Sequence, residues 1–463
     1  MGENTIMYAT ILDIADWTLI ALMGLSVILL LYKIFYNIYG LLPDRKFPDA
    51  KKNHKYAILI PARYESSVIS RLLDSLKEQD YPKECFDTYV IIESESDPTF
   101  EICKQYENVT AFVRPNLNVK SKGGALDQII KHLIETKKAE EYEAYFIFDA
   151  DNMAAPNFLT EMNKTYDAGY EIALSYRNSI NWNDGWIASC SGLTFSMLNT
   201  MQNKCRARFN QNVLVSGTGF YISARVINGL GGWPFQCLTE DVEISNYAVL
   251  NDIKGAYNTN TQFFDEQPIN LKISWNQRVR WVKGHMQVGK KYNKKLWKSS
   301  LVSKENKLGK LDFALGIIPI AIPLASIIVY SIFTLVLGIV GACLKVEPYL
   351  WHLALINFGV AVGGMYIFLA LYTLVLILAE KKHIDLTAKN AFIAIIMNPF
   401  FMGLYIPIAI AALFKKEVKW KPIERKADIE KEEYSSLIVE GERTDKPNNK
   451  EITKQLDAEF IKK

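Results

Sequence analysis

Three short segments follow one another along the 463-residue chain: Asp149-Ala150-Asp151, Thr239-Glu240-Asp241 and Gln277-Arg278-Val279-Arg280-Trp281. The first sets two carboxylates one residue apart, directly after the apolar run Tyr145-Phe146-Ile147-Phe148. Carboxylates at the end of a buried strand repel each other and lose hydration unless a cation lies between them. Magnesium and manganese favour oxygen ligands and commonly complete their shell with diphosphate oxygens, so Asp149 and Asp151 form a candidate site for Mg2+ or Mn2+. In the second segment Thr239 and Glu240 are suited by type to cap the helical pattern that runs from Val242 to Leu250. Three polar residues exceed what one cap needs. A carboxylate, Asp241 or its neighbour Glu240, is therefore available to take a proton from an attacking hydroxyl. In the third segment Gln277, Arg280 and Trp281 stand at i, i+3 and i+4, on one helix face. Trp281 offers a flat apolar plane, and the planar fork of Arg280 suits phosphate oxygens. Trp275 and Trp297, with Arg278, Lys283, Lys290 and Lys291, also suit a helix lying on a membrane surface.

These residues need elements to position them. From about residue 55 to 290 the chain alternates short apolar runs with helical spacing. Strands are expected at 56–62, 89–92, 109–113 and 145–148, and helices at 66–79, 99–106 and 124–138. Alternation of this kind predicts a mostly parallel sheet with helices on both faces. Such sheets bind ligands beyond the carboxyl ends of their strands. Arg63 to Glu65 follow the first strand, Glu93 to Asp97 the second, Lys122-Gly123-Gly124 the third and Asp149 to Asp151 the fourth.

The ends of the chain are of a different kind. Residues 18–32 run without a charge, Lys33 interrupts, and 34–42 are again apolar. Near the C-terminus, 313–344, 349–379 and 391–414 each exceed the roughly 20 residues that cross a bilayer core. Lysines and arginines flank these runs at 45–55, 290–310 and 380–389, which predicts that the central region faces the cytosol. The basic start of the tail also predicts an inside position, although three simple crossings would leave it outside. Either 313–344 is broken, with Pro319 and Pro323 as break points, or 391–414 is re-entrant near Asn398-Pro399. The expected organisation is an N-terminal transmembrane helix (1–42), a cytosolic domain (43–290), a basic interfacial linker (291–312), a C-terminal membrane region (313–414) and a charged flexible cytosolic tail (415–463). Net charge is only +3, which argues against nucleic acid as a partner. The six cysteines are scattered, forming neither a zinc pattern nor a disulfide framework.

With these motifs in this order, the chain resembles the membrane-bound family-2 glycosyltransferases, which include cellulose, hyaluronan, curdlan, mixed-linkage glucan and poly-N-acetylglucosamine synthases. The resemblance covers about residues 56–287 and the flanking membrane segments. It implies an α/β GT-A domain, a Rossmann-like nucleotide-sugar fold inserted between transmembrane helices. It also implies an inverting enzyme that polymerises a UDP-sugar, UDP-glucose by preference, into an extracellular β-linked polysaccharide and translocates it across a bacterial plasma membrane. By resemblance, Arg63, Tyr64, Glu65 and Glu93 or Asp97 would hold the uridine, and Lys122 would lie near the diphosphate. Asp149 and Asp151 match the metal motif, Asp241 the general base, and Gln277, Arg280 and Trp281 the QxxRW motif. Ser216, Gly217 and Thr218 lie where the family has a loop touching the acceptor glycan. Glu93-Ser94-Glu95-Ser96-Asp97 departs from the paired aspartates common in the family. The alternatives are single transfer to a lipid acceptor and polymerisation of UDP-N-acetylglucosamine.

Overall fold

The computed structural model describes residues 2–119, 121–316 and 318–415, so nearly all of the charged tail lies outside the described residues. Eight strands form one sheet: β1 (Tyr56–Pro61), β2 (Phe86–Ile92), β3 (Val109–Val113), β4 (Ala144–Ile147), β5 (Met153–Ala154), β6 (Ile172–Ser179), β7 (Phe220–Ser223) and β8 (Gly255–Asp265). Their order is β3-β2-β1-β4-β7-β6-β8-β5. The first four are parallel, as the alternation predicts. The rest are mixed: β7 is antiparallel to both β4 and β6, β5 is antiparallel to β8, and β6 and β8 are parallel. Four of the seven strand pairings are thus parallel, and the antiparallel ones are those of β7 and β5. A parallel neighbour needs a crossover connection. β7 instead emerges from the Ser216–Gly219 turn, where the amide of Gly219 already bonds the carbonyl of Ile147 at the end of β4.

Side chains alternate across the central strands. Ala57, Leu59, Tyr145 and Ile147 face one way, against Leu126, Ile129, Ile130 and Leu133 of the helix Lys122–Glu135. Tyr56, Ile58, Ile60, Phe146 and Phe148 face the other, against Leu72, Leu76, Phe158 and Leu159. Both faces are covered, so these strands read as continuous apolar runs. Burying each large side chain contributes about 1.5–3 kcal/mol, which makes this layer the rigid base for the loops at its carboxyl edge.

Among the described residues, four helices are long and apolar enough to cross a membrane, within Glu3–Leu25, Ile322–Cys343, Pro348–Ala379 and Ala388–Phe414. The first belongs to one continuous helix, Glu3–Gly40, in which Lys33 makes no break. Lys33 instead pairs with Asp312 at 2.7 Å, and Arg206 holds the other oxygen of Asp312 at 2.7 Å, so the charge joins the helix to the rest of the chain. The run 313–344 is broken, but upstream of both prolines. The helix Lys307–Leu315 ends at Gly316, which has φ +51°, and Pro323 lies inside the helix Ile318–Cys343. Pro399 likewise lies inside the helix Ala388–Gly403, which continues through Leu404, itself helical with its amide on the Phe400 carbonyl at 3.1 Å, into Tyr405–Phe414. A proline forfeits one hydrogen bond, and these helices tolerate that loss where they pack against neighbours.

Candidate active site

Lys122 opens the helix Lys122–Glu135, whose first turn is capped by the Ser121 hydroxyl accepting the Gly124 amide at 3.0 Å. Gly123 is required next to it, because a Cβ there would stand 2.2 Å from the carbonyl oxygen of Phe235. The Lys122 ammonium lies 2.5 Å from Asp149 Oδ1, 2.7 Å from the carbonyl of Gly217 and 4.0 Å from Glu240 Oε1. Burial alone would push its pKa down, but Asp149, Glu240 and Asp241 more than offset this, and it lies above the ordinary lysine value.

Glu240 and Asp241 begin the helix Glu240–Leu250, and Thr239 makes no capping bond to it. Asp241 Oδ1 instead accepts the Val242 amide of the first turn at 2.8 Å. Burial pushes the Glu240 carboxyl up to about 7, with Asp241 adding to the effect and Lys122 and Arg280 opposing it. Burial also raises Asp241, against the Val242 amide, His285, Lys122 and Arg280. Asp241 Oδ2 lies beside Gly217, 3.4 Å from where a Cβ would be.

Asp151 is 7% exposed and accepts from Asn152 Nδ2 at 3.3 Å. Asn152 Nδ2 also reaches Asp265 Oδ1 at 3.2 Å. Thr218 accepts the Asp149 amide at 2.8 Å and donates to Asn152 Oδ1. Arg177 grips Asp265 through Nε at 3.0 Å and through Nη2, and its Nη1 reaches the carbonyl of Ser216. The same guanidinium stacks 3.6 Å from the Phe195 ring centre, and Phe195 stands edge-on to Trp281 with centres 5.7 Å apart. Asn152, Arg177, Phe195 and Asp265 thus join the aspartate turn to the tryptophan, and none was singled out in the sequence. The available signal was an arginine inside a strand run, Tyr176-Arg177-Asn178.

One continuous cavity of about 2410 Å³ collects most of the expected residues. Arg63, Glu65, Glu93, Lys122, Asp149 and Asp151 line its domain end; Ser216, Gly217, Glu240, Asp241, Gln277, Arg280 and Trp281 line its middle. Glu93 is held between Arg63 at 3.1 Å and Arg114 at 3.8 Å. Three expected residues are not on the wall. Thr218 is 1% exposed behind it, supporting the aspartate turn. Asp97 is 1% exposed, and its oxygens take the amides of Tyr64 at 2.8 Å and Thr99 at 2.9 Å. Tyr64 points outward, 62% exposed, with φ +55°. Asp97 holds that left-handed turn, which a tyrosine seldom adopts, and so aims Arg63 and Glu65 inward.

Among the described residues no three His, Cys, Asp or Glu side chains cluster as a complete metal cage. Asp149 and Asp151 fit a hard divalent cation that finds its remaining ligands elsewhere. Glu240 is raised to about 7 chiefly by burial, with Asp241 adding to it.

Residues 54–284 match the family model described as glycosyltransferase like family 2. The chain is 23% identical over 430 residues to Probable glycosyltransferase YdaM of Bacillus subtilis, covering 86% of this chain and 95% of that one. It is 23% identical over 290 residues to beta-monoglucosyldiacylglycerol synthase of Trichormus variabilis, covering 60% and 58% of the two chains. It is 22% identical over 280 residues to poly-beta-1,6-N-acetyl-D-glucosamine synthase of Staphylococcus epidermidis, covering 56% and 65%. The chain therefore spans less than two thirds of the last two. Among solved structures, the mannosyltransferase PcManGT from Pyrobaculum calidifontis in complex with GDP-Man and Mn2+ has the same fold, with a TM-score of 0.50 at 15% identity over 87% of this chain and 100% of that one. Sheet order, strand-end site and these matches define an enzyme, a glycosyltransferase of GT-A fold. Within that class the chain belongs to the family 2 glycosyltransferases.

Proposed function

We propose that the protein transfers a sugar from a nucleoside diphosphate sugar to a hydroxyl presented from the membrane side, with inversion. The observation that carries this reading is the meeting of Lys122, Asp149, Glu240 and Asp241 in one cavity that continues past Trp281 to the membrane helices. Arg63 and Glu93 hold the nucleoside, and Asp149 and Asp151 hold Mg2+ or Mn2+. That cation, when bound, neutralises diphosphate charge. Asp241 takes the proton of the acceptor hydroxyl, and its raised pKa makes it a better base than a solvated aspartate. The hydroxyl oxygen bonds to the anomeric carbon from the face opposite the diphosphate. The bond to the diphosphate breaks, and the leaving group keeps the electron pair. Lys122 and Arg280 steady that charge. Glu240 keeps Lys122 charged and in place. Trp281 and the Ser216-Gly217 turn seat the acceptor. UDP-glucose is the donor favoured, with UDP-N-acetylglucosamine next; GDP-mannose enters the test because a protein of the same fold is named in complex with it.

The acceptor is a lipid hydroxyl or the end of a growing β-glycan, and the names of relatives include both kinds. The aliphatic character of the cavity beyond Trp281 favours the lipid. The shared face of Gln277, Arg280 and Trp281 favours the polymer. Product form in membrane vesicles distinguishes them: a chloroform-extractable glycolipid or a long retained glycan. If Asp241→Asn kept normal sugar transfer, the assignment of the base would fail.

The organisation in the membrane is part of this reading. The helix Ala388–Gly403 begins beside Asn183, which Asn390 meets at 2.9 Å. Its Phe401 carbonyl accepts from Arg278 at 2.9 Å, and the Ala412 carbonyl accepts from Lys283 at 3.1 Å. Both ends of Ala388–Phe414 thus touch the catalytic domain or the helix Leu271–Val302, which supports a re-entrant course. Three crossings, at Glu3–Leu25, Ile322–Cys343 and Pro348–Ala379, then keep the domain and the tail on the cytosolic side.

A further inference from the structure

Two membrane helices end on one turn of the catalytic domain. After the helix Trp186–Leu198 the chain makes a single wide π turn, Asn199–Asn203, before it resumes as Lys204–Arg208. The extra residue of such a turn re-aims the side chains around it, and these turns recur at functional sites. The N-terminal helix Glu3–Gly40 closes against it, so tightly that a Cβ at Gly40 would stand 2.1 Å from the Thr200 carbonyl oxygen. The helix Pro348–Ala379 runs into Glu380, which is buried, and Glu380 Oε1 accepts the Thr200 hydroxyl at 2.6 Å.

The remaining side chains of the turn reach towards the active site. Asn199 donates through Nδ2 to the carbonyl of Arg177 at 2.9 Å. Asn203 clasps the backbone of Leu214, accepting its amide at 2.8 Å and donating to its carbonyl at 2.9 Å. Leu214 lies two residues before Ser216, whose carbonyl Arg177 also holds. A second contact from the membrane side lands on the neighbouring residue. His383 stacks on the ring of Tyr176, with centres 4.0 Å and planes 19° apart, and its Nδ1 lies 3.3 Å from Gln262 Oε1. Burial raises the pKa of the Tyr176 hydroxyl, and the Glu380 carboxylate adds to the rise. Glu380 and His383, three residues apart, thus grip the consecutive residues Tyr176 and Arg177 of β6, Glu380 by way of Thr200 and Asn199. None of Tyr176, Asn199, Thr200, Glu380 and His383 is on the cavity wall, so whatever they do for the reaction is done through Arg177. Burying a carboxylate costs desolvation that an apolar pair would avoid, so stability alone is a poor reason for the Glu380–Thr200 contact.

We propose that Glu380 and Thr200 are positioning residues for sugar transfer, which carry the placement of the membrane helices to Arg177. Arg177 passes it to Asp265, to the Ser216–Gly219 turn that meets Lys122, and to Phe195 beside Trp281. The acceptor side of the pocket is then aligned with the donor side only while the helix Pro348–Ala379, which walls the cavity with Tyr372 and Leu376, is seated on the domain. The proposal rests on the sugar-transfer reading above and adds the residues that link its two halves.

The test uses the full-length protein in phosphatidylcholine vesicles. Release of UDP or GDP is followed from UDP-glucose, UDP-N-acetylglucosamine or GDP-mannose, with 1,2-dioleoylglycerol or a β-linked glucose tetramer as acceptor. Thr200→Val and Glu380→Ala should each lower kcat at least about tenfold, the scale of loss when a reacting group is misplaced from a distance. Titration with UDP or GDP should give an affinity within about twofold of wild type, because Arg63 and Glu93 lie at the other end of the site. Thr200→Ser, which restores the hydroxyl, should recover most of kcat. Lys381→Ala, an exposed neighbour, should leave it unchanged. In an Arg177→Ala background Thr200→Val should cost nothing further, since residues that act through one group are not additive. A kcat near wild type in both Thr200→Val and Glu380→Ala overturns the proposal. So does a further loss in the Arg177→Ala background, or a fall in nucleotide affinity that matches the fall in kcat, which would mean that the contact only holds the fold. Absence of turnover by the wild type with every donor and acceptor overturns the sugar-transfer reading itself.

Discussion

Glu240 and Asp241 share one pocket and one cause of perturbation, yet they make different predictions. The folded carboxyl of Glu240 lies near 7, against an ordinary value of 4.5, because it is buried. Between those values the folded protein holds a proton that the unfolded chain has lost. Stability therefore falls as pH rises through this window and stays lower above it. Glu240→Gln removes the penalty. Without nucleotide or divalent metal, the variant should melt close to wild type near pH 4.5 and above it at pH 8, which a thermal scan across pH reads directly. A variant that melts lower than wild type at pH 8 would mean that Glu240 is stabilising there. For Asp241 the readout is turnover. Asp241→Asn should slow transfer by about 10²–10⁴-fold, the usual contribution of a positioned base, while nucleotide affinity is retained. The activity of the wild type should fall as acid protonates Asp241, at a pH above that of an ordinary aspartate because burial raises it.

At the scale of elements, two connections hold the site together. The turn Ser216–Gly219 brings Gly217 to Lys122 and sends Thr218 beneath the aspartate turn. Gly219 has φ +65°, and a Cβ there would stand 2.1 Å from the ring of Phe263. Gly219→Ala should therefore shift this turn and weaken nucleotide binding as well as turnover, which titration with UDP or GDP would show. The second connection is Arg278, buried against the Phe401 carbonyl and stacked 3.9 Å from the Phe401 ring. It sits in the QxxRW motif but faces away from the cavity. Arg278→Ala should destabilise by about 1–3 kcal/mol, the cost of stranding a buried partner, and should expose Ala388–Phe414 to hydrogen exchange. Unchanged protection of that segment would show that Arg278 does not anchor it.

For the whole molecule, the metal and the membrane set the expectations. Chelation by EDTA should abolish transfer, and Mn2+ or Mg2+ should restore it. Full activity in EDTA would mean that Lys122 and Arg280 suffice for the diphosphate. A re-entrant Ala388–Phe414 predicts that a fluorescent protein fused after Lys463 folds in the cytosol, whereas alkaline phosphatase fused there stays inactive. Phosphatase activity would make that segment a full crossing.

The four parallel strands, the acidic strand ends and the flanking apolar segments were legible in the sequence because each rests on local periodicity or on residues next to one another. Asp149 and Asp151 announce themselves through Tyr145 to Phe148, and Gln277, Arg280 and Trp281 share a face by spacing alone. Long-range partners were not legible. The antiparallel entry of β7, the Arg177–Phe195 bridge and the burial of Asp97 and Thr218 depend on contacts between residues far apart in the chain. Sequence therefore determined the class of chemistry and its nearness to a membrane, because motif and hydrophobicity are local properties. The tertiary structure decided which carboxylates face one another, which merely hold loops, and that the site opens onto an aliphatic chamber, because burial and electrostatic coupling exist only once the chain has packed.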